Sequence, residues 1–285
     1  MLLIADSGST KANWHLVYGP LKNERFETMG YSPHYLSTEQ IEASLRKDLL
    51  PEMGDRIELV TKIYFYGTGC SSEQDVATVF NAIQPCFPKA EIFVDHDLLA
   101  SARATCGRSA GIACILGTGS NSCLFDGTHV TDNLPSLGFM LGDEGSGGDL
   151  GRRLAKAYYY REMPEELAKA FHEKYDGLTK NQLIHKVYTE EDMPSRYMAS
   201  FSKFLGEHLE HPYIRNLIAG SFGEFLDRQV LKYPSAHEDP IHFIGSIAHF
   251  FQEILLECLK ERQMTIGEII RNPMERLINY HLKFG

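Results

Sequence analysis

The sequence predicts an α/β protein built from two halves, and three observations carry that reading. The chain opens with Leu2-Leu3-Ile4-Ala5-Asp6-Ser7-Gly8-Ser9-Thr10-Lys11, an apolar run ending in an acid, small hydroxyl and glycine residues, and a lysine. The pattern returns at residues 111–116, followed by Gly117-Thr118-Gly119-Ser120-Asn121-Ser122 and a further run, Cys123-Leu124-Phe125. Gly8-Ser9 and Gly119-Ser120 are read as equivalent places in two strand–turn–strand units. Helices and strands then alternate, and no low-complexity linker separates the halves, so they are expected to meet across a cleft rather than a tether.

Each apolar run reads as a buried strand. Gly8 permits a tight turn and lets backbone N–H groups approach an anion closely. Ser7, Ser9 and Thr10 add hydroxyl donors and Lys11 a positive charge. Asp6, at a strand end, could hold magnesium through water, because that ion prefers oxygen ligands and keeps much of its hydration shell. A single such stretch is equally an ordinary hairpin; two of them would grip one polyphosphate from both sides. The chain has no GxxxxGK[ST], so a Walker-type loop is excluded.

In order, residues 12–18 alternate apolar and polar and should pair back on the first strand. Residues 25–29 make a third strand, and Gly30-Tyr31-Ser32-Pro33-His34 a loop. Residues 38–50 carry Ile41, Leu45, Leu49 and Leu50 at helical spacing, with Thr38 as N-cap. Residues 63–66 form a strand ending at Gly67-Thr68-Gly69, and Ser71 or Ser72 caps the next helix. Residues 91–94 are a strand ending at Asp95-His96-Asp97, before an alanine-rich helix over 98–106. The second half begins with the repeated hairpin. Its glycine-dense stretch 137–148 reads as a loop, and 150–231 as amphipathic helices broken near Pro164, Gly177, Pro194 and Pro212. Residues 241–244 form a strand with Gly245-Ser246 as its exit turn, 247–259 a helix, and 272–284 a last helix expected to pack back on the first half.

Composition narrows the class. At 285 residues the chain can bury a large core, and 43% hydrophobic with 23% charged residues is ordinary for a globular protein. A formal charge of −10 argues against nucleic-acid binding. The six cysteines form no CxxC pair and lie largely in apolar runs, so they read as reduced, buried thiols. The first apolar run meets Asp6 too early for a signal peptide and no later run approaches a membrane span, so a cytoplasmic protein is expected. His34 and His96 read as loop histidines, with no zinc cluster around them. Tyr158-Tyr159-Tyr160 reads as helix packing, domain contact or partner surface rather than a ligand platform.

Together these residues resemble the sugar-kinase branch of the actin, Hsp70 and hexokinase superfamily, and more narrowly the N-acetylglucosamine kinase and BadF/BadG/BcrA/BcrD ATPase family. The matching pieces are the Asp6–Lys11 stretch, Gly117-Thr118-Gly119-Ser120-Asn121, Gly142-Asp143-Glu144-Gly145-Ser146 and Phe243-Ile244-Gly245-Ser246. The resemblance implies two actin-like (ribonuclease H-like) domains closing on ATP and magnesium. One would span 1–107 with the C-terminal helix 272–285, the other 108–271 with a helical insertion. It implies that Asp6, Gly8, Ser9, Thr10 and Lys11 face the phosphates and metal, that Gly117, Thr118, Gly119 and Ser120 form the second phosphate loop, and that Gly245 and Ser246 lie by the adenosine.

On the sugar side the resemblance makes Asp97 the base, with Asp95 left open as an alternative and Asp97 itself also readable as a mere N-cap. It places Ser136, Leu137, Gly138 and Asp143, and the loop of Thr68 and Gly69, at sugar-contacting positions. Where the N-acetylglucosamine kinases carry an asparagine in the early substrate loop, this chain has Pro33-His34, so His34 is the candidate there and a reduced acetamido preference is expected. The partner implied is a small sugar, and a homodimer is admitted. Two other activities stay open: an ATPase that activates a reductase or dehydratase partner, as in the benzoyl-CoA reductase activators, and a nucleotide sensor without turnover.

Overall fold

The computed structural model describes residues 1–8, 11–19, 22–190 and 193–285. The chain divides into two compact units, Met1–Gly107 with Pro273–Gly285, and Arg108–Asn272.

Unit 1 is a five-stranded sheet in the order β3-β2-β1-β4-β5. Its strands are β1 (Leu2–Ser7), β2 (Lys11–Gly19), β3 (Lys22–Met29), β4 (Lys62–Gly67) and β5 (Glu91–His96). β1 pairs antiparallel with β2, β2 antiparallel with β3, and β1, β4 and β5 run parallel. Alternation places Ala12, Trp14 and Leu16 in the core, where the Trp14 ring lies 5.7 Å from that of Phe65 and its Nε1 donates to Thr28 Oγ1 at 3.0 Å.

The first helix departs from expectation at both ends. Its N-cap is Ser37, not Thr38: Ser37 and Gln40 exchange side-chain and backbone hydrogen bonds in a capping box. The regular helix Thr38–Ser44 gives way to a wider π turn at Leu45–Leu49 and a last piece, Leu50–Met53. Pro51 in that last piece cannot donate to the preceding turn, and the backbone reroutes around it. Ser72 caps the crossover helix Glu73–Ile83. The strand β5 extends to His96, and the helix Asp97–Thr105 follows without an intervening loop. The last helix, Met274–Phe284, is part of unit 1, with Met274, Leu277, Ile278 and His281 buried.

Unit 2 carries a second five-stranded sheet in the order β10-β9-β6-β7-β8, with β6 (Gly111–Leu116), β7 (Ser120–Phe125), β8 (Val130–Asp132), β9 (Ile241–Ile244) and β10 (Ile266–Ile270). β8 and β10 escape the sequence reading. β8 is three mostly exposed residues, and β10 is an edge strand whose register shifts between Ile266 and Ile269. Between β8 and β9 lie the predicted helices, including Gly147–Tyr159, Glu165–Lys174 and Pro212–Arg228. Their inner faces supply Leu150, Leu154, Phe171, Phe222 and Phe225 to one core. The helix expected over 247–259 is two, Ser246–Phe250 and Gln252–Glu261. The tyrosine run packs as expected at Tyr158, whose ring lies 4.6 Å from Phe171, whereas Tyr160 is exposed.

Candidate functional site

In unit 1 the polar candidates gather at the C-terminal edge of the parallel strands, where open α/β sheets bind ligands. In register, Asp6 lies beside Tyr66 and Tyr66 beside Asp95; one residue on, Ser7 lies beside Gly67 and Gly67 beside His96. The exit of each strand therefore delivers one candidate. The Asp97 carboxylate accepts a hydrogen bond from Thr68 Oγ1 at 2.6 Å, and the Thr68 N–H is fixed in turn on Ser7 O at 2.8 Å. Asp97 is not the cap of its helix. That position belongs to His96, whose Nδ1 accepts from the Leu99 N–H at 3.2 Å, leaving the Asp97 side chain to Thr68. Asp95 turns back on its own segment, accepting from the His96 N–H at 2.9 Å.

Asp6 is a carboxylate with a like charge for a neighbour. Its poorly hydrated surroundings, and then the charge of Asp97, push its pKa up to about 7. Among the described residues no group donates to it. Excess negative charge on oxygen ligands is the donor chemistry that suits a hydrated magnesium ion sharing phosphate oxygens. No group of three or more His, Cys, Asp or Glu residues is arranged to hold a metal among the described residues; a magnesium site completed by phosphates and water needs only one or two carboxylates.

The early loop reaches this edge. The Tyr31 N–H donates to the fully buried Ser7 Oγ at 2.9 Å, a tether between residues too far apart in sequence for spacing to show. His34, which is exposed, packs its ring on Gly69: a Cβ there would lie 2.4 Å from His34 Cδ2. Thr68, Gly69, His34 and Asp97 are thus brought together within unit 1. Lys11 instead forms an ion pair with Glu27 of β3. Ser9 and Thr10 lie outside the described residues.

In unit 2 the β6–β7 turn is held from behind. The N–H groups of Gly147 and Gly148, at the start of helix Gly147–Tyr159, donate to Gly117 O at 2.8 Å and Thr118 O at 3.0 Å. With its carbonyls so engaged, the turn leaves the Thr118 and Gly119 N–H groups with no acceptor among the described residues. Ser120 Oγ is buried with no partner among them either. Stretch 137–148 is therefore not all loop. Gly138–Leu141 is one helical turn, and the long helix starts at Gly147 behind a Ser146 cap. Arg152 from that helix donates to Gly142 O at 2.8 Å.

Asp143 sits against the turn. Its carboxylate accepts from Ser136 Oγ at 2.8 Å and the Ser120 N–H at 3.3 Å, and burial raises its pKa against those two bonds. Gly119 packs closely on this carboxylate: a Cβ there would meet Asp143 Oδ2 at 2.9 Å, so any side chain would have to displace Asp143 or the turn. Leu137 is largely exposed, and the Gly138 N–H donates to Ser136 Oγ at 3.2 Å. Gly245 has φ +128°, and a Cβ would lie 2.1 Å from Leu116 O, so strand β9 exits directly beside β6. Ser246, exposed, begins the next helix.

The hairpin registers correct one equivalence. The last paired residues are Ser7 with Ala12 in one sheet and Leu116 with Ser120 in the other. Gly8 therefore corresponds to Gly117, and Gly119 to Lys11, because the second turn is one residue shorter.

No family model matches this chain, and no curated protein does. Among solved structures, it is similar to a protein of Porphyromonas gingivalis provisionally assigned as an N-acetylglucosamine kinase, with 42% identity over 100% of this chain and 99% of that one and a TM-score of 0.94. It is similar in fold to another protein so assigned, from Chromobacterium violaceum, at 17% identity over 98% of each chain and a TM-score of 0.68. A ROK-family glucokinase of Streptomyces griseus, solved with glucose and AMPPNP, shares the fold at 11% identity over 98% of this chain and 97% of that one, with a TM-score of 0.54. The two mixed sheets with flanking helices are thus those of the two-domain actin-like sugar kinases.

Proposed function

The chain belongs to the N-acetylglucosamine kinase-like branch of the actin-like sugar kinases, and from that premise we propose that it transfers the γ-phosphoryl group of ATP to a hydroxyl of a hexose or amino sugar. The observation that carries the reading is Asp97: a carboxylate at a strand exit, oriented by Thr68 and beside a second carboxylate. A sugar hydroxyl is a weak nucleophile, and phosphoryl transfer needs alignment and charge neutralisation more than covalent chemistry. In this reading Asp97 aligns the hydroxyl and takes its proton as the oxygen bonds to phosphorus and the bond to the departing ADP oxygen breaks. The N–H groups of Thr118 and Gly119 hold phosphate oxygens, and Gly245 with Ser246 lies along the nucleoside. Bound magnesium, held by Asp6 through its water shell, would neutralise phosphate charge. His34, Gly69, Ser136 and Asp143 are assigned to the sugar.

N-acetylglucosamine is the substrate proposed first, on the identity to the Porphyromonas gingivalis protein. Unit 1 then serves as metal and acceptor domain, and unit 2 as phosphate and nucleoside domain. Six unbridged, buried cysteines support a reducing, cytoplasmic setting. Among the described residues no helix is long and apolar enough to cross a membrane. Purified protein, ATP and magnesium incubated with a panel of hexoses and amino sugars test the proposal. Sugar-dependent ADP release is expected. ADP release indifferent to every sugar, from protein carrying iron and sulfide, would favour the partner-activating ATPase instead.

A further inference from the structure

Among the described residues, four helices are capped by hydroxyl side chains, Ser37, Ser72, Ser146 and Thr179, which fits the general preference for Ser, Thr, Asp and Asn at that position. The helix that begins with Asp97 is capped by an imidazole. A histidine also caps helix Pro212–Arg228, but His211 there has its other nitrogen on the exposed Glu166, whereas His96 stands among acids. Its Nδ1 accepts the Leu99 N–H at 3.2 Å, and its Nε2 lies 3.6 Å from Asp95 Oδ1. Accepting at Nδ1 requires the neutral ring to carry its proton on Nε2, the side facing Asp95. Asp6, Asp95 and Asp97 already place three carboxylates at the ends of β1 and β5. An aspartate cap would add a fourth.

Resting on the kinase reading above, we propose that His96 is a positioning residue. As the neutral Nε2–H imidazole it anchors the start of helix Asp97–Thr105, fixes Asp97 on Thr68, and does so without adding negative charge beside the metal and acceptor carboxylates. Its backbone makes the same point, since φ −82° and ψ 158° place it as the last extended residue before the helix. Loss of the cap frees the first turn and the Asp97 backbone with it. A displacement of about 1 Å at a reacting group can cost on the order of 100-fold in rate.

Three variants separate the two parts of the proposal. His96→Ala removes the acceptor, and kcat should fall at least tenfold with the KM for ATP unchanged within twofold. His96→Asn keeps a neutral acceptor and should restore kcat to within about threefold. His96→Asp caps at least as well, so it should restore the melting temperature while leaving kcat low. If His96→Ala keeps wild-type kcat, or if His96→Asp restores kcat as fully as His96→Asn does, the proposal is overturned. One readout is independent of turnover: the ring ¹⁵N shifts of His96 should report the Nε2–H form, and an Nδ1–H ring would refute the cap. Wild-type protein that phosphorylates no sugar would sink the kinase reading while these shifts still decided the cap.

Discussion

The two sheets share one topology and differ in what stands at one edge. In each, the first strand forms a hairpin with the second, the second pairs antiparallel with the third, and the first, fourth and fifth run parallel. Counting from the last paired residue of each hairpin, Asp6 corresponds to Ile115, Asp95 to Ile270 and Asp97 to Asn272. Unit 1 thus ends its parallel strands in carboxylates, whereas unit 2 has two isoleucines and an asparagine at those three positions, with Arg271 in the place of His96. Unit 2 keeps its acid, Asp143, behind the turn, where it accepts from the turn rather than facing outward alone. A repeated framework fixes where strands end; the residues at those ends decide whether the edge attracts cations and protons or offers backbone donors to anions.

The largest expected effect breaks the carboxylate edge. Asp97→Asn keeps the shape and removes the charge, so kcat should fall ~10²–10⁴-fold, the usual worth of a general base, with ATP affinity nearly unchanged. Asp95→Asn should be much milder in the same steady-state assay. If Asp95→Asn abolishes transfer and Asp97→Asn does not, the base has been assigned to the wrong acid.

The donor edge is broken by Gly119→Val, whose branched side chain would strike Asp143 and displace the turn. Losing one hydrogen bond to a charged group costs about 1.5 kcal/mol, so nucleotide binding measured by calorimetry should weaken roughly tenfold. Unchanged binding would mean the turn does not hold phosphate.

The third effect is on stability. His281, packed in unit 1, shares a hydrogen bond of 2.8 Å between its Nε2 and the Tyr66 hydroxyl, and burial followed by the charge of Arg103 lowers its pKa to about 3. The unfolded chain binds this proton below about pH 6.5 and the folded chain does not, so the stability it contributes is complete above that pH and is lost as pH falls towards 3. His281→Gln should make the melting temperature less dependent on pH between 7 and 5. Parallel slopes for the two proteins would contradict the assignment. The smallest effect concerns His34: His34→Asn should raise the kcat/KM ratio of N-acetylglucosamine to glucose about fivefold, the value of one ~1 kcal/mol hydrogen bond. A ratio that falls would remove His34 from the sugar loop.

Much of this was legible because strand ends and glycine turns are local features. The runs at β1, β6 and β9 and the turns after them stand out as blocks of apolar and then small residues. β8 and β10 did not, because three exposed residues and a bulged edge strand have little periodicity to read. The pairing of Thr68 with Asp97 joins the loop after one strand to the first residue of the helix after another and depends on sheet order, which spacing does not give. The tether of Ser7 is hidden for the same reason: its partner, Tyr31, arrives only after two intervening strands. His96 reads from sequence as a loop histidine because a histidine cap has no sequence signature.

One feature of unit 1 sets the order in which the protein can be assembled. Its segments Met1–Gly107 and Pro273–Gly285 are interrupted by the whole of unit 2, and the buried face of Met274–Phe284 belongs with the first segment. Unit 2 is continuous in sequence and can form once Asn272 has been made. The first segment must wait with the surface meant for Leu277, Ile278 and His281 uncovered. A folded unit 2 shortens that wait, because it replaces a long flexible loop by a compact insert and lowers the entropy of bringing the ends together. Misfolding of unit 2 is therefore expected to cost unit 1 its last helix, and the unit that carries the carboxylates depends for its completion on the unit that carries the turn.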